Sequence, residues 1–367
     1  MFTCAAQIIW PTPRNCSPVP NAFIYGIENA DIAGGLADFV VDGTFGGIFE
    51  ADASGNFQIA GVPVGPVSVL ALPSTATNGQ TSGVAMGSLT ASSSLTLNPI
   101  MGNSYAFDFG RDTLTDPNGF VYDIYCAGGI SGGGQNNGFS PFDSAGVLFL
   151  NGNDIYGSFT CEPHNYATLD QSGNQLTIGP HSGGVYNLLL QIQRKVFVPA
   201  VGGYVRMVDS LTNPLDVPIA TNVLIFNRFN YPSAPDTLVA DPQTNGNTFA
   251  VVQNSTNSLS PILGFVFAGK NPAVPANAFP SLAAPYNYNL YLNYQWSQIT
   301  AAPEFAGSVT IGPHQTMSFM HFIIQWNNQD VAGAIAQAQA LVNLTDPNEL
   351  VGLSAQEKAQ VVNFNVP

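Results

Sequence analysis

The chain is written in short apolar or alternating runs, interrupted about every eight to twelve positions by Gly, Pro, Asn and Asp, the pattern of an all-β protein. Between Gly55 and Gly61, residues Asn56, Phe57, Gln58, Ile59 and Ala60 alternate with the period of a half-buried strand. After Pro63-Val64-Gly65-Pro66 a second strand begins at Val67–Leu72, and the two read as a β-hairpin. Further strands are predicted at 22–27, 39–41, 47–50 and 94–97. Longer and more aromatic strands follow at 145–152, 174–180, 185–199, 204–213, 220–229 and 307–326.

After Asn328 the period changes. Asp330 can cap a helix through VAGAIAQAQALVNL, with Ile335, Ala338, Leu341 and Val342 on one face. DPNE (346–349) and SAQE (354–357) carry capping-box spacing for two more helical segments. Such helices are expected across an end or edge of a sandwich, where they also hide an open strand edge. The organisation predicted is an arm at 1–20, a small β-sandwich at 21–103, a large antiparallel β-sandwich at 104–328 and a helical tail at 329–367 packed on it.

Composition sharpens this picture. Apolar residues make up 45% of 367, enough for real cores, whereas Asp, Glu, Lys and Arg together reach only 8% against about 25% in an ordinary domain. The 34 Asn outnumber the 31 charged residues, so Asn, Ser, Thr and Gly supply the polar surface. A surface of this kind loses little side-chain entropy against a neighbour and fits secreted or cell-surface β proteins. Net charge is −15 with eight basic residues and no basic stripe, which excludes nucleic-acid binding and attachment to anionic membranes. No run reaches the roughly 20 apolar residues of a membrane-spanning helix, and Met1–Trp10 does not read as a signal peptide.

The run DASGNFQIAGVPVGPVSVLAL (52–72) resembles the hallmark of carboxypeptidase-regulatory-like (transthyretin-like) domains: an acidic-Gly turn, an aromatic strand, a Gly-Val-Pro-x-Gly turn and a Val-rich strand. The resemblance covers about the first quarter of the chain. It implies a seven-stranded sandwich used as a spacer or accessory module, without catalytic residues. RKVFVPAVGGYVRMVDSLTNP (194–214) and VTIGPHQTMSFMHFIIQW (309–326) resemble stretches in the β-sandwich modules of very large secreted bacterial surface proteins. In that pattern a glycine stands where this chain has His314, so the turn at 312–315 is expected to differ.

Candidate chemistry is sparse. The cysteines fall into two local groups, and disulfides Cys4–Cys16 and Cys126–Cys161 are expected in an oxidising compartment. A metal reading of Cys126, Cys161 and His164 lacks a fourth ligand. His314 and His321, seven apart on one predicted strand, should face opposite ways, and His321 within SFMHFII reads as a core or interface residue. No nucleophile elbow or phosphate-cradling loop occurs, and the Gly-rich GGISGGGQNNG lacks a Lys. Glu162 with Asp123 or Asp143 could build a glycosidase-type carboxylate pair. No cofactor is expected, although Asp112, Asp116, Asp123 and Asp143 near Asn118 offer oxygen ligands for Ca²⁺ without an EF-hand or nonapeptide repeat behind them.

Two functions follow. One is a non-enzymatic extracellular structural protein, a surface or filament subunit whose partners are copies of itself or neighbouring modules of the same chain. There the apolar strand Gln7-Ile8-Ile9-Trp10 of the arm would add to a sheet edge of its own or the next subunit, head to tail. The alternative is a carbohydrate-binding or carbohydrate-active β-sandwich module, with Trp10, Trp296, Trp326 and the thirteen tyrosines available to stack on sugar rings. The missing catalytic constellation favours the first and predicts no hydrolytic activity.

Overall fold

The computed structural model describes the backbone of seven strands within residues 1–110. From Arg111 on it describes most of the chain, apart from 126–127, 136–139, 156–166, 170–172, 183–189, 230–236, 255–258, 282–290, 300–301 and 305. The cysteines Cys4, Cys16, Cys126 and Cys161, the strand Gln7-Ile8-Ile9-Trp10, and Glu162 and His164 lie outside the described residues.

The fold is all-β with a short helical tail. The first strands are β1 (Phe23–Tyr25), β2 (Leu36–Val41), β3 (Thr44–Glu50), β4 (Gln58–Ala60), β5 (Gly65–Leu72), β6 (Gly83–Leu89) and β7 (Ser94–Thr96). Next come β8 (Arg111–Thr115), β9 (Val121–Tyr125), β10 (Phe142–Leu150), β11 (Asn153–Asp154), β12 (Ala167–Leu169) and β13 (Gln175–Ser182). Then follow β14 (Gln191–Phe197), β15 (Tyr204–Thr212), β16 (Ile219–Thr221), β17 (Val223–Phe229), β18 (Thr237–Ala240) and β19 (Phe249–Gln253). The last are β20 (Ile262–Val266), β21 (Ala276–Ser281), β22 (Tyr291–Trp296), β23 (Val309–Ile311) and β24 (Thr316–Trp326), then the helices α1 (Val331–Asn343) and α2 (Ala355–Gln360). Contacts group the chain into two units, residues 1–108 with 166–193, and 109–165 with 194–367.

In the first unit β1–β7 form two sheets, ordered β4-β1-β7 and β3-β2-β5-β6. The expected β4–β5 hairpin does not form. β4 pairs antiparallel with β1, and β5 pairs with β2 and β6, so β4 and β5 belong to different sheets. Pro66, near the start of β5, has no N–H to give to a ladder with β4. β12 and β13 make an antiparallel hairpin in the same unit.

In the second unit a five-stranded sheet, β11-β10-β17-β22-β21, packs on a larger one that runs β14-β15-β24-β20-β19-β18. β24 is central and buried along eight consecutive residues, Ser318–Gln325. Its two faces read separately once the period of two is applied. Met320, Phe322 and Ile324 face a core closed by α1 and the residues after it, while Phe319, His321, Ile323 and Gln325 are the opposite face. A strand covered on both faces reads in sequence as a continuous apolar run, which is why SFMHFII shows no alternation.

Helix α1 lies against β20, β19 and β24, three adjacent strands, so it covers a sheet face rather than the expected end or edge. Asp330 caps it by accepting from the Gly333 N–H, and Ala334, Ala338, Leu341 and Val342 are buried beneath it. Both capping boxes form, although the one at Asp346 opens a single 3-10 turn, Pro347–Leu350, rather than a helix. No helix among the described residues is long and apolar enough to cross a membrane.

Candidate functional site

Two arrangements in the second unit bring polar side chains together, one sealed and one open. The sealed one crosses the interior between the two sheets. Arg194 on β14 makes a two-pronged ion pair with Asp209 on β15, Nε to Oδ1 at 2.7 Å and Nη2 to Oδ2 at 2.8 Å. His321 on β24 reaches Asp209 Oδ2 through Nε2 at 3.3 Å, and the Tyr294 hydroxyl on β22 reaches His321 Nδ1 at 2.7 Å. All four residues have no exposed surface.

Burial alone would push the Asp209 carboxyl up, but the Arg194 guanidinium, with help from His321, holds it below its ordinary value. Burial lowers the His321 imidazole against the pull of Asp209, so the ring is neutral. A neutral ring between these partners carries its proton on Nε2, donates to Asp209 and accepts from the phenol. Tyr294, pushed well above its ordinary value by burial, keeps its proton to give. Arg194 Nη1 also donates to the carbonyls of Gly128, at 2.7 Å, and of Gly146. Gly146 is required there: its φ is +68°, and a Cβ would sit 2.6 Å from Met207 Sδ.

This network orders the core. Its charges cancel, its lone pairs are met, and it sets the register of β14, β15, β24 and β22 against one another. Trp296 stacks on Phe319, with centroids 4.9 Å apart, and stands edge-on to His321 while its Nε1 donates to the Phe267 carbonyl. Fully buried, it is core filling and not the sugar platform the sequence offered.

The open arrangement lies on the other face of the five-stranded sheet. Tyr294 and Trp296 point inward, so Tyr291, Asn293 and Gln295 on β22 lie on the other face, where Tyr291 is half-buried and Asn293 and Gln295 are buried under the residues at 302–304. Register carries that face to Phe226 and Arg228 on β17, to Phe149 and Ser144 on β10, and to Phe279 on β21. Phe149, Phe226, Tyr291 and Phe279 are each half-buried, and the Phe149 and Phe226 rings lie 5.8 Å apart. Polar groups frame them. Arg228 pairs with Asp143, Tyr125 Oη meets Ser144 Oγ at 2.7 Å, and Asn293 Nδ2 donates to Glu304 Oε1 at 2.8 Å. The Asn227 N–H donates to Asn293 Oδ1, which fixes that amide's orientation.

The other sequence candidates scatter. Asp123 accepts from the Thr113 hydroxyl, and Asp116 Oδ1 accepts from the N–H groups of Asn118 and Phe120, closing the β8–β9 turn. With Asp143 held by Arg228, no three His, Cys, Asp or Glu side chains among the described residues group as metal ligands. His314 does not share a strand with His321. It precedes β24 in a turn, at φ +53°, the left-handed conformation glycine favours, with Nε2 2.8 Å from Asp216 Oδ1.

No family model and no curated protein matches the chain. Solved structures do. An aldose 1-epimerase-like protein of Escherichia coli K12 is 11% identical with a TM-score of 0.36, over 60% of this chain and 99% of its own. A counterpart from Klebsiella pneumoniae is 11% identical with a TM-score of 0.33, over 75% and 88%. The heparan sulfate lyase HepC of Pedobacter heparinus, in mutant form, is 9% identical with a TM-score of 0.32; the match covers 71% of this chain and 33% of the lyase.

These likenesses concern fold alone. Against the expectation of a chain without enzymatic activity, the matched structures include aldose 1-epimerase-like proteins and polysaccharide lyases, at 9–12% identity and TM-scores of 0.31–0.36; at that likeness they assign this chain no activity.

Sequence reasoning missed Arg194 and Asp209, although a signal was present. In a chain with eight Lys and Arg, a charge at an inward position of an apolar strand needs a buried partner. The sheet-face aromatics carried no such signal, because outward Phe and Tyr look like core residues until the inward face is known.

Proposed function

We propose that this chain is a carbohydrate-engaging β-sandwich protein whose ligand, a neutral glycan chain, lies across the outer face of the five-stranded sheet. The observation that carries this reading is the row of half-buried aromatics on four neighbouring strands, framed by Tyr125, Ser144, Glu304 and the Asp143–Arg228 pair. At about 4.8 Å between strands the row spans roughly 14 Å, room for more than one sugar ring. Flat rings take the C–H faces of sugars, and the hydroxyls and carboxylates at the rim meet their hydroxyl groups. The scarcity of charge on the chain suits a neutral ligand.

Covering the exposed half of one such side chain is worth about 1 kcal/mol, taking 1.5–3 kcal/mol for a whole Phe. Three or four rings plus a few hydrogen bonds then place a short oligosaccharide near a millimolar Kd, with longer chains tighter through repeated contacts. Glu304 and Asp143 bring carboxylates to the rim, the groups by which glycoside chemistry proceeds.

The test is a panel of neutral polysaccharides read by affinity electrophoresis and by reducing-end release. Retardation by at least one polymer, lost in Phe226→Ala and Tyr291→Ala with near-UV spectra unchanged, supports the reading. Equal mobility of wild type and variants on every polymer contradicts it.

A further inference from the structure

β20 runs beside β24 only from Ile262↔Trp326 to Val266↔Phe322, so β24 keeps an unfilled edge from Ser318 to His321. Residues that come much later in the chain fill it. Val361 bridges Ser318 in parallel, and the Val362 N–H donates to the Ser318 carbonyl at 3.0 Å. The Asn363 side chain then does what a strand backbone would: Oδ1 accepts from the Met320 N–H at 2.9 Å, and Nδ2 donates to the Met320 carbonyl at 2.7 Å and to Phe267 O at 2.9 Å. On the far side the N–H groups of Gly269 and Val274 donate to the carbonyls of Asn363 and Val362. Phe364 closes the slot edge-on against Phe322.

The rest of the strap is held as specifically. Arg206 lies over the Phe197 ring and donates to the carbonyls of Glu349 and Val351, and Lys195 pairs with Glu357 at 2.6 Å. Only Leu344 and Thr345 join this strap to α1, and Leu344 sits at φ 49° and ψ 53°, a left-handed conformation that a branched non-glycine residue adopts at a cost. A short, strained hinge in front of an element with self-contained contacts is the arrangement that invites exchange between copies.

We infer that the slot beside β24 is a strand-acceptor site for the strap of a second copy of this chain, residues 346–367 passing between molecules about the Leu344 hinge. Every strap contact re-forms in the exchanged state, and the hinge straightens. Reciprocal exchange closes a dimer; one-way exchange leaves a free strap and a free slot and continues as an open chain. This is independent of the glycan face.

The test uses two full-length variants, Ser318→Cys and Val361→Cys, unfolded together and refolded at high concentration. A disulfide between the two introduced cysteines can form only when the strap of one copy lies on β24 of the other; each variant oxidised alone gives the background. The expected result is a covalent heterodimer above background, and a Leu344→Gly background should lower its yield about five- to thirtyfold by relieving the strain that favours exchange. Light scattering of the unaltered chain, refolded across a range of concentrations, gives a readout that no variant can spoil. Monomers at every concentration, or dimers lacking that cross-link, overturn the inference.

Discussion

Replacing Arg194 by Met would strand the Asp209 carboxylate in a site with no exposed surface, leaving it only the weaker 3.3 Å contact to His321. Breaking one side of a buried pair costs about 3–5 kcal/mol. The carbonyls of Gly128 and Gly146 lose a donor as well, adding about 1 kcal/mol or more. Asp209→Asn strands the guanidinium instead, at a similar 3–5 kcal/mol. The double variant leaves no unpaired charge, so its cost should fall well short of the sum, with a coupling energy of about 3 kcal/mol or more. Chemical denaturation followed by tryptophan fluorescence suits the measurement, because Trp296 stands edge-on to both Tyr294 and His321 and reports on this core. Additive costs within about 0.5 kcal/mol would refute the reasoning and reduce the network to four independent contacts.

Asp116 is raised to about 6, mainly by burial, which outweighs the hydrogen bonds of its own turn and of the Tyr122 hydroxyl. A carboxyl whose folded value lies above its unfolded one contributes stability below pH 4 that is lost as pH rises to 6. Asp116→Asn, which keeps the Oδ1 acceptor, should therefore match wild type near pH 4 and exceed it in melting temperature at pH 7; a constant difference across that range would count against the assignment. His321, held neutral, gives the opposite trend: the unfolded imidazole takes up a proton below about 6.5 and the folded one does not, so Tyr294→Phe should alter the acid limb of the stability curve more than the alkaline limb. Gly146→Ala should cost about 1–3 kcal/mol through overpacking against Met207 and a positive φ, whereas Gly152→Ala, at φ +78° with no atom within 4 Å of its Cβ, should cost less; equal costs in thermal melts would deny the packing part of the argument.

Strand positions were partly legible because apolar period and turn residues are local. Predicted runs at 204–213 and 220–229 became β15 and β16 with β17, whereas β6, rich in Gly, Ala and Ser, and several strands of the second unit, β9, β19, β20 and β22 among them, lie outside the predicted runs. Pairing was less legible. Phe57-Gln58-Ile59 and Val67–Leu72 look like two arms of one hairpin, yet their partners are β1 in one sheet and β2 and β6 in the other, a choice made by residues tens of positions away. His321 reads as a core residue and is one, but the carboxylate it donates to lies 112 residues earlier, beyond any spacing argument. Faces were hardest. Trp296 and Tyr291 are five apart on one strand, and nothing in YLNYQW says that the first faces Phe319 and the second faces out.

The central claim is that the outer face of the five-stranded sheet holds a neutral glycan, and the most direct measurement is titration of the full chain with neutral oligosaccharides of increasing length by NMR or calorimetry. The account predicts saturable binding near millimolar for short oligomers that tightens with length and weakens about fivefold or more in Phe226→Ala and in Tyr291→Ala, the loss expected from about 1 kcal/mol per ring. Saturable binding that neither substitution weakens, or no binding by any neutral oligosaccharide, would contradict it.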